Sequence, residues 1–425
     1  MVDVLHFQRS DLDKALSGEQ LALLRKVAGA AAARRVPLYL VGGFVRDLLL
    51  GSPATDFDLV VEGDAIALAQ ALAAQSGGRV TAHASFGTAQ WFLHASDAHA
   101  LDFISTRSET YHHPAALPTV RLGTLADDLA RRDFSINTLA VRLDGDHWGE
   151  LRDDLGGLED LQSGRVRVLH PGSFLDDPTR LFRAVRYEQR YGFRIVPETM
   201  LLIPPARGLI ASLSSERLRH ELDLILEEAQ AVAMLGRLSE LDLLQPVHPA
   251  LAWNEGVPRR FTDALRPVPE DLLEGLPAAG RGFLNWHFWL MEVPRMGLES
   301  LESRLHFQAN LLASLSAASE LWRDLPSLAG LKPSQFVARL EDLPLSAPQA
   351  VFLAAPDGEP RQNIHRYLAT WRHVKPKTDG YALQARGLPP GPRYRQILQR
   401  LREARLDGEV TTDEAEMKLL EVLTA

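Results

Sequence analysis

Residues 39–63 constrain the fold more than any other part of this 425-residue chain. Their sequence, YLVGGFVRDLLLGSPATDFDLVVEG, predicts a strand over 38–41, a Gly-Gly turn, a helix over 44–50 and a second strand over 56–61. Gly42 and Gly43 carry no Cβ, so the backbone can turn sharply there and approach a ligand closely. A domain that mixes a sheet with helices is therefore expected at this end of the chain.

The same stretch brings together groups suited to phosphate chemistry. The N–H groups of Gly42 and Gly43 lead into a helix start, a common anion-binding arrangement, and Arg46 adds a cation. Asp56 and Asp58 lie two residues apart on a strand, so their side chains point to one face. Two carboxylates on one face can bind Mg2+, and paired Mg2+ ions suit in-line displacement at phosphorus. A Gly-Gly turn alone is usually only a turn, and an Asp-x-Asp pair alone is usually solvated. Together with Arg46 they predict a catalytic site that acts on a phosphate.

Composition limits the alternatives. The chain has no Cys, which excludes disulfides and thiolate metal sites and is typical of a cytoplasmic protein. It contains no run of about 18 apolar residues, so no membrane span is expected. The net charge of −9 does not favour a uniformly basic nucleic-acid binder, but local patches rather than the sum decide RNA affinity.

The segments LVGGFVRDLLLG and DFDLVV resemble the first motif of polymerase-beta-like nucleotidyltransferases. More narrowly, they resemble the class II tRNA nucleotidyltransferase and poly(A) polymerase family, some members of which build the 3′ CCA end of tRNA. The resemblance implies that Asp56 and Asp58 are catalytic and hold Mg2+. It also places Asp102, in LDFISTR, where the family carries a third strand carboxylate, which could complete the metal site or accept a proton.

A second motif, ADDLARRDFSINTL at 126–139, is similar to the family's RRDFTINA motif. Taken alone, such a charged cluster is as typical of a solvated helix end. The resemblance implies that Arg132 contacts the phosphates of the incoming nucleotide and that Asp133 reads its ribose. A carboxylate suits that role because it accepts a hydrogen bond from the 2′-hydroxyl, which a deoxynucleotide lacks. Ser135 and Thr138 depart from the family pattern.

A third motif, FLDDPTRLFRAVRYEQRY at 174–191, predicts a helix that begins near Pro178. A row of charges at steps of three is often a solvated face. Here the sequence resembles the family's E-D-x-x-R template, although Asp176 stands where the family usually has Glu. The resemblance implies that one carboxylate and one guanidinium pair with the base edge of CTP or ATP and that two further guanidinium groups hold the triphosphate. Those residues are, in order, Asp177, Arg180, Arg183 and Arg186.

The remaining chain is mostly helical in pattern. A helix is expected over 11–34, with a break near Ser17, and a polar loop over 108–124. After about residue 155 strand signals nearly vanish. Two basic stretches, 361–377 and 387–405, could be solvated helix faces or could bind RNA phosphates. The RNA-binding candidates there are Arg366, Arg372, Lys375, Lys377, Arg393 and Arg395.

These patterns predict an α+β fold with four parts. A nucleotidyltransferase head with a mixed sheet occupies 1–150. An all-α neck that selects the nucleotide base (151–225), a helical body (226–330) and a helical tail that binds tRNA (331–425) follow it.

The resemblance implies an enzyme that adds C, A or both to the 3′ end of tRNA, without a nucleic-acid template, and releases pyrophosphate. Its substrates would be tRNA, CTP and ATP and its cofactor Mg2+, with no membrane and no obligate protein partner. Four alternatives stay open: an enzyme that adds only CC, one that adds only A, a poly(A) polymerase, and a noncatalytic tRNA-binding protein.

Overall fold

The computed structural model describes residues 9–52, 57–93, 100–110, 115, 119–273 and 279–424. The chain divides into two compact units. The first runs to Ser214 and takes in Glu240–Pro246, and the second comprises Ser215–Ser239 and everything from Val247 onward. The three predicted domain boundaries, near residues 150, 225 and 330, stay predictions.

The first unit combines strands and helices. Its strands are β1 Leu38–Val41, β2 Asp58–Val61, β3 Arg79–His83, β4 Thr88–Phe92, β5 Leu101–Ser105, β6 Arg107–Thr110, β7 Thr119–Leu122, β8 Ala140–Arg142, β9 Glu150–Arg152, β10 Arg165–Val166 and β11 Arg194–Ile195. Its helices are α1 Arg9–Ala15, α2 Gly18–Ala33, α3 Gly43–Leu49, α4 Ala65–Ser76, α5 Leu125–Ala130, α6 Gly157–Gln162, α7 Ser173–Asp176, α8 Thr179–Tyr191, α9 Pro197–Met200 and α10 Ile203–Ala206. The predicted break near Ser17 is confirmed, because α1 ends at Ala15 and Ser17 caps the start of α2.

Seven of these strands form one mixed sheet in the order β3-β4-β5-β2-β1-β8-β9. Neighbouring strands are antiparallel except for β2 and β5, which run parallel. Parallel neighbours need a crossover connection, which α4, β3 and β4 provide here. The α+β class is therefore confirmed.

A buried cluster holds α5 against one face of this sheet. The cluster comprises Tyr39, Val41, Val60, Leu125, Leu129 and Ala140, with Ile104 packed against it. Side chains two residues apart on a strand share a face. Asp58 therefore lies on the same face as Val60, and Asp102 on the same face as Ile104, so both carboxylates are on the α5 side of the sheet.

The polar loop predicted over 108–124 is partly wrong. Its two described ends belong to an antiparallel pair, β6 and β7, in which Arg107 lies opposite Leu122 and Thr110 opposite Thr119. The sequence there alternates too weakly to show a strand, because β7 is mostly exposed and lacks a buried face. A further pair of short strands, β10 and β11, lies after residue 155, and these two strands run parallel.

Every regular element described in the second unit is a helix. Its helices are α11 Ser215–Leu226, α12 Ala231–Glu240, α13 Gly256–Asp263, α14 Glu270–Leu273, α15 Arg281–Leu290, α16 Arg295–Leu305, α17 Ala309–Asp324, α18 Pro333–Leu340, α19 Ser346–Ala354, α20 Glu359–Ala369, α21 Gly380–Ala385, α22 Pro392–Leu406 and α23 Asp413–Thr424. None of the helices in the described ranges has the length and apolar character needed to cross a membrane.

A buried polar chain crosses the core of the second unit. The His287 ring is fully buried; its Nδ1–H donates to the carbonyl oxygen of Phe283 at 2.8 Å, and Nε2 lies 2.7 Å from the hydroxyl of Ser314. Ser314 in turn lies 2.6 Å from the hydroxyl of Ser346. Because Nδ1 carries the proton in the neutral ring, Nε2 accepts from Ser314. These hydrogen bonds link α15, α17 and α19.

Candidate active site

Two predicted catalytic carboxylates are neighbours across the sheet. Asp58 begins β2 and lies directly opposite Asp102 in the register of the parallel pair with β5. Partners in register on adjacent strands point their side chains to the same face. Both side chains are half-buried. Asp56, the third predicted carboxylate, lies outside the described residues.

The Gly-Gly turn lies at the same end of the sheet. In the antiparallel pair of β1 with β2, Leu38 lies opposite Val61 and Leu40 opposite Leu59. Each step along β1 is a step back along β2, so the end of β1 and the start of β2 are level. The turn that follows β1 is consequently beside Asp58.

Two features favour a glycine at position 42 of that turn. Its backbone has φ +67°, a left-handed conformation that residues with a Cβ rarely adopt. A Cβ there would also lie 2.5 Å from Nη1 of Arg132. Arg132 therefore rests on the bare backbone of the turn, which brings a cation from the second motif to the carboxylate end of the sheet. Gly43 has no such constraint, because its nearest contact would be Nη2 of Arg46 at 3.5 Å.

Asp128, which is not among the predicted site residues, orients this cation. It is fully buried in α5. One of its oxygens accepts from Nη2 of Arg131 at 2.6 Å, and the other from Nη2 of Arg132 at 3.1 Å. Arg131 also donates to Glu109 of β6 at 3.0 Å. The position of Asp128, four residues before Arg132 on a helix pattern, was the available signal.

Arg46 is buried among protein partners. It is only 4% exposed, and it donates to Oδ1 of Asn137 at 2.6 Å and to both oxygens of Asp47 at 2.9 and 3.0 Å. Its guanidinium carbon lies 5.1 Å from the ring centroid of Tyr187 and 4.9 Å from that of Tyr191. Arg46 thus ties α3 to α8, and the predicted contact with phosphate stays a prediction.

Asp133 and Arg183, predicted to bind different parts of the nucleotide, pair with each other. Oδ2 of Asp133 accepts from Nε of Arg183 at 2.7 Å and lies 2.5 Å from its Nη2. Burial alone would raise the pKa of Asp133, but the charge of Arg183 and the amide of Asn137 outweigh it and hold the pKa below its usual range. Asp133 is therefore an anion, and both of its oxygens can accept hydrogen bonds.

The predicted base-reading pair is held by neighbouring groups. Asp177 accepts from the N–H and the hydroxyl of Thr179, at 3.0 and 2.6 Å. Arg180 is buried and donates to Ser173 at 2.7 Å and to the carbonyl oxygen of Arg131 at 2.8 Å. Arg186 is also buried, with its guanidinium 5.7 Å from the Tyr187 ring. These contacts join the start of α8 to the segment after α5, and the assigned roles stay predictions.

The carboxylate end of the sheet suits a divalent cation in its chemistry. Asp58 and Asp102 offer adjacent carboxylate oxygens, which such ions prefer. Within the described ranges no group of three or more His, Cys, Asp or Glu residues is placed to hold a metal ion. Asp56, two residues before Asp58, lies outside those ranges.

The predicted RNA-binding residues of the second unit differ in what surrounds them. Lys377 has its charge 2.5 Å from Asp413, and Arg372 donates to the carbonyl oxygen of Leu368 at 2.7 Å. Arg366 donates to Asn363 at 3.3 Å, and Arg393 to the carbonyl oxygen of Leu423 at 3.3 Å. Lys375 and Arg395 are exposed. RNA binding at these residues stays a prediction.

Two family models match this chain. The poly(A) polymerase head domain matches residues 38–167, the region that contains the carboxylates, the Gly-Gly turn and Arg132. A model described as the probable RNA- and SrmB-binding site of polymerase A matches residues 192–254.

Several named proteins are similar over most of the chain. An A-adding tRNA nucleotidyltransferase of Halalkalibacterium halodurans is 33% identical over 91% of this chain and 88% of its own length. One of Geobacter sulfurreducens is 36% identical over 98% of this chain, which spans about half (48%) of that relative. A CC-adding tRNA nucleotidyltransferase of Deinococcus radiodurans is 41% identical over 72% of this chain and 87% of the relative.

Solved structures agree with these relatives. A CCA-adding enzyme in an apo form superposes with a TM-score of 0.84 at 30% identity, covering 98% of each chain. The Thermotoga maritima CCA-adding enzyme complexed with tRNA superposes with a TM-score of 0.80 at 29% identity, covering 97% of this chain and 98% of the other.

Proposed function

This chain belongs to the class II tRNA nucleotidyltransferase and poly(A) polymerase family, and we propose that it adds the terminal A to the 3′ end of tRNA. The substrates would be ATP and a tRNA that already ends in CC, and the second product pyrophosphate. A cytoplasmic location, predicted from the sequence, is part of this proposal.

One observation carries the proposal. Asp58 and Asp102 lie side by side on parallel strands, at the end of the sheet where Arg132 rests on the Gly42 turn. Adjacent carboxylates and a cation next to a bare backbone turn are what transfer of a nucleotidyl group requires: ligands for a metal and donors for a phosphate.

The residues divide the work as follows. Asp58 and Asp102, together with Asp56, would hold divalent cations, on which this family depends, and we propose Mg2+. Such ions would neutralise the charge that develops on the oxygens around phosphorus. Arg132, Arg183 and Arg186 would hold the triphosphate, since their fixed guanidinium geometry matches phosphate oxygens. Asp177 and Arg180 would select the base.

The choice of A rests on similarity. The relatives from Halalkalibacterium halodurans and Geobacter sulfurreducens, both named A-adding, match more than nine-tenths of this chain, whereas the CC-adding relative matches 72%. The CC-adding protein is, however, more nearly identical within the matched part, at 41%. CC addition is therefore the second candidate.

Three tRNA substrates separate the candidates. The purified protein is incubated with tRNA that ends before CCA, after the first C or after CC, each with CTP alone and ATP alone. If ATP extends the CC-ended tRNA by a single residue and CTP extends none of the three forms, the result supports A addition. Extension of the two shorter forms with CTP alone indicates CC addition, and both results together indicate a full CCA-adding enzyme.

Two further outcomes contradict the proposal. A ladder of many A residues on any RNA indicates a poly(A) polymerase. No extension of any substrate, with tRNA binding intact, indicates a noncatalytic tRNA-binding protein.

A further inference from the structure

Five side chains of the first unit form a closed ring of contacts. Arg46 donates to Oδ1 of Asn137, and Nδ2 of Asn137 donates to Oδ1 of Asp133, at 2.6 and 2.8 Å. Asp133 accepts from Arg183, whose Nη2 donates to the hydroxyl of Tyr187 at 3.2 Å. The aromatic side chain of Tyr187 packs against the guanidinium of Arg46, and this contact completes the closed set.

Within this ring of contacts, Asn137 joins the cation of Arg46 to the anion of Asp133. It is 5% exposed and uses both ends of its amide, the oxygen toward a guanidinium and the nitrogen toward a carboxylate. An amide can accept at one end and donate at the other, whereas a carboxylate can only accept. Aspartate has the same shape but no donor, so it could keep the contact with Arg46 and would repel Asp133.

The two oxygens of Asp133 are held differently. Oδ1 accepts from the N–H of Phe134 at 2.9 Å and from Asn137, both of which are buried. Oδ2 accepts only from Arg183 among its contacts described above, and the side chain of Arg183 is 31% exposed. Oδ1 is therefore anchored by buried groups, while Oδ2 is held by a side chain that is itself partly exposed.

We propose that Asn137 is a positioning residue that gives this enzyme its preference for ribonucleotides. By anchoring Oδ1 of Asp133, it aims Oδ2 at the 2′-hydroxyl of the incoming nucleotide, and Arg183 occupies Oδ2 until the nucleotide binds. Arg183 then turns to the triphosphate, which leaves Oδ2 to accept from the ribose. This inference rests on the proposed function, because it requires a nucleoside triphosphate at this site.

The test compares ATP with dATP. Equilibrium dissociation constants for both nucleotides are measured on the full chain without tRNA, in wild type, Asn137→Asp and Asn137→Ala. We expect the preference for ATP to fall at least about tenfold in both variants, through weaker ATP binding, because a charged hydrogen bond is lost or misdirected. The ratio of kcat/KM for the two nucleotides on CC-ended tRNA should fall with it.

Asn137→Asp separates this role from packing. A role in packing alone would survive the isosteric change, so an Asp variant that is folded and keeps the wild-type ATP preference within about twofold overturns the inference. If the Ala variant does not fold, Asn137→Ser removes the same two hydrogen bonds and is read in the same way. Asn285→Ala, which removes a buried amide that donates to the carbonyl oxygen of Leu226 in the second unit, should leave the preference unchanged.

The binding measurement keeps this inference distinct from the proposed function. A wild-type protein that prefers ATP over dATP but adds nothing to tRNA contradicts the function and leaves the role of Asn137 testable. A wild-type protein that extends tRNA equally well with ATP and dATP contradicts only the role of Asn137.

Discussion

Asp58 and Asp102 are separated by more than forty residues of chain, yet they lie opposite each other in the register of one parallel strand pair. Their strands are flanked by the buried residues of the sheet, so the two carboxylates are fixed by the backbone and not by loops. A site built on strands holds its geometry more tightly than one built on loops.

Removing either carboxylate should abolish nucleotide addition while the protein stays folded. We expect Asp58→Ala and Asp102→Ala each to lower the single-turnover rate at least about 100-fold. Each change removes a metal ligand or a proton acceptor that stabilises the transition state. Rapid-quench assays of A addition to CC-ended tRNA measure the rate. Asp154→Ala, which removes an exposed carboxylate paired with Arg152, is the control and should match wild type. A fully active Asp58→Ala protein would refute the catalytic assignment.

Replacement by alanine should have different effects at the two glycines of the turn. Gly42→Ala forces a Cβ into a left-handed backbone and against Arg132, so we expect a loss of about 1–2 kcal/mol in unfolding free energy and a raised KM for ATP. Gly43→Ala has room and an ordinary φ, and should resemble wild type in both respects. Denaturant unfolding and steady-state kinetics measure the two effects. Equal behaviour of the two variants would contradict the close approach of Arg132.

Asp128→Asn should both destabilise the head and weaken ATP binding. The change leaves the cations of Arg131 and Arg132 without their shared buried anion, for which a loss of about 3 kcal/mol is expected. Arg132 is then free to leave the Gly42 turn, so KM for ATP should rise more than kcat falls. The neighbouring Asp127→Asn affects only an exposed helix cap and should cost about 1 kcal/mol without a change in KM. An unchanged KM in a folded Asp128 variant counts against the positioning of Arg132.

His287 should make the second unit sensitive to acid. Burial lowers the pKa of His287 to about 4, against 6.5 in the unfolded chain. Below pH 6.5 the unfolded chain therefore takes up a proton that the folded chain does not, and stability falls by about 3 kcal/mol between pH 6.5 and 4. Urea unfolding across this pH range should show this decrease in unfolding free energy in wild type and a smaller decrease in His287→Gln. The exposed His373→Gln is the control; if His287→Gln keeps the full decrease, another group is responsible.

The sequence predicted the elements of the head well because their signals are local. The Gly-Gly turn, the strand that contains Asp58 and the break at Ser17 each depend on a few adjacent residues, and the structure confirms all three. The strand pair of β6 and β7 was missed because its stability comes from pairing and not from a buried apolar face.

The partners of the charged residues could not be predicted in the same way. The row of Arg residues on α8 was visible, but only the fold shows that Arg183 meets Asp133 and that Arg180 meets the backbone of Arg131. Pairings of this kind join residues about 50 positions apart, and no short pattern records them. Asn137 is a further case, since its side-chain oxygen accepts from Arg46, which is 91 positions away in the chain.

The parallel pairing of β2 with β5 also determines when the site can form. During synthesis, a nascent chain that has emerged only as far as β4 carries Asp58 but not Asp102, and the central position of the sheet between β4 and β2 is vacant. Pairings between distant segments form slowly, because the intervening chain must be ordered first. If the proposed function holds, metal affinity should therefore appear only once β5 has paired with β2, and a chain folded only as far as β4 should not extend tRNA.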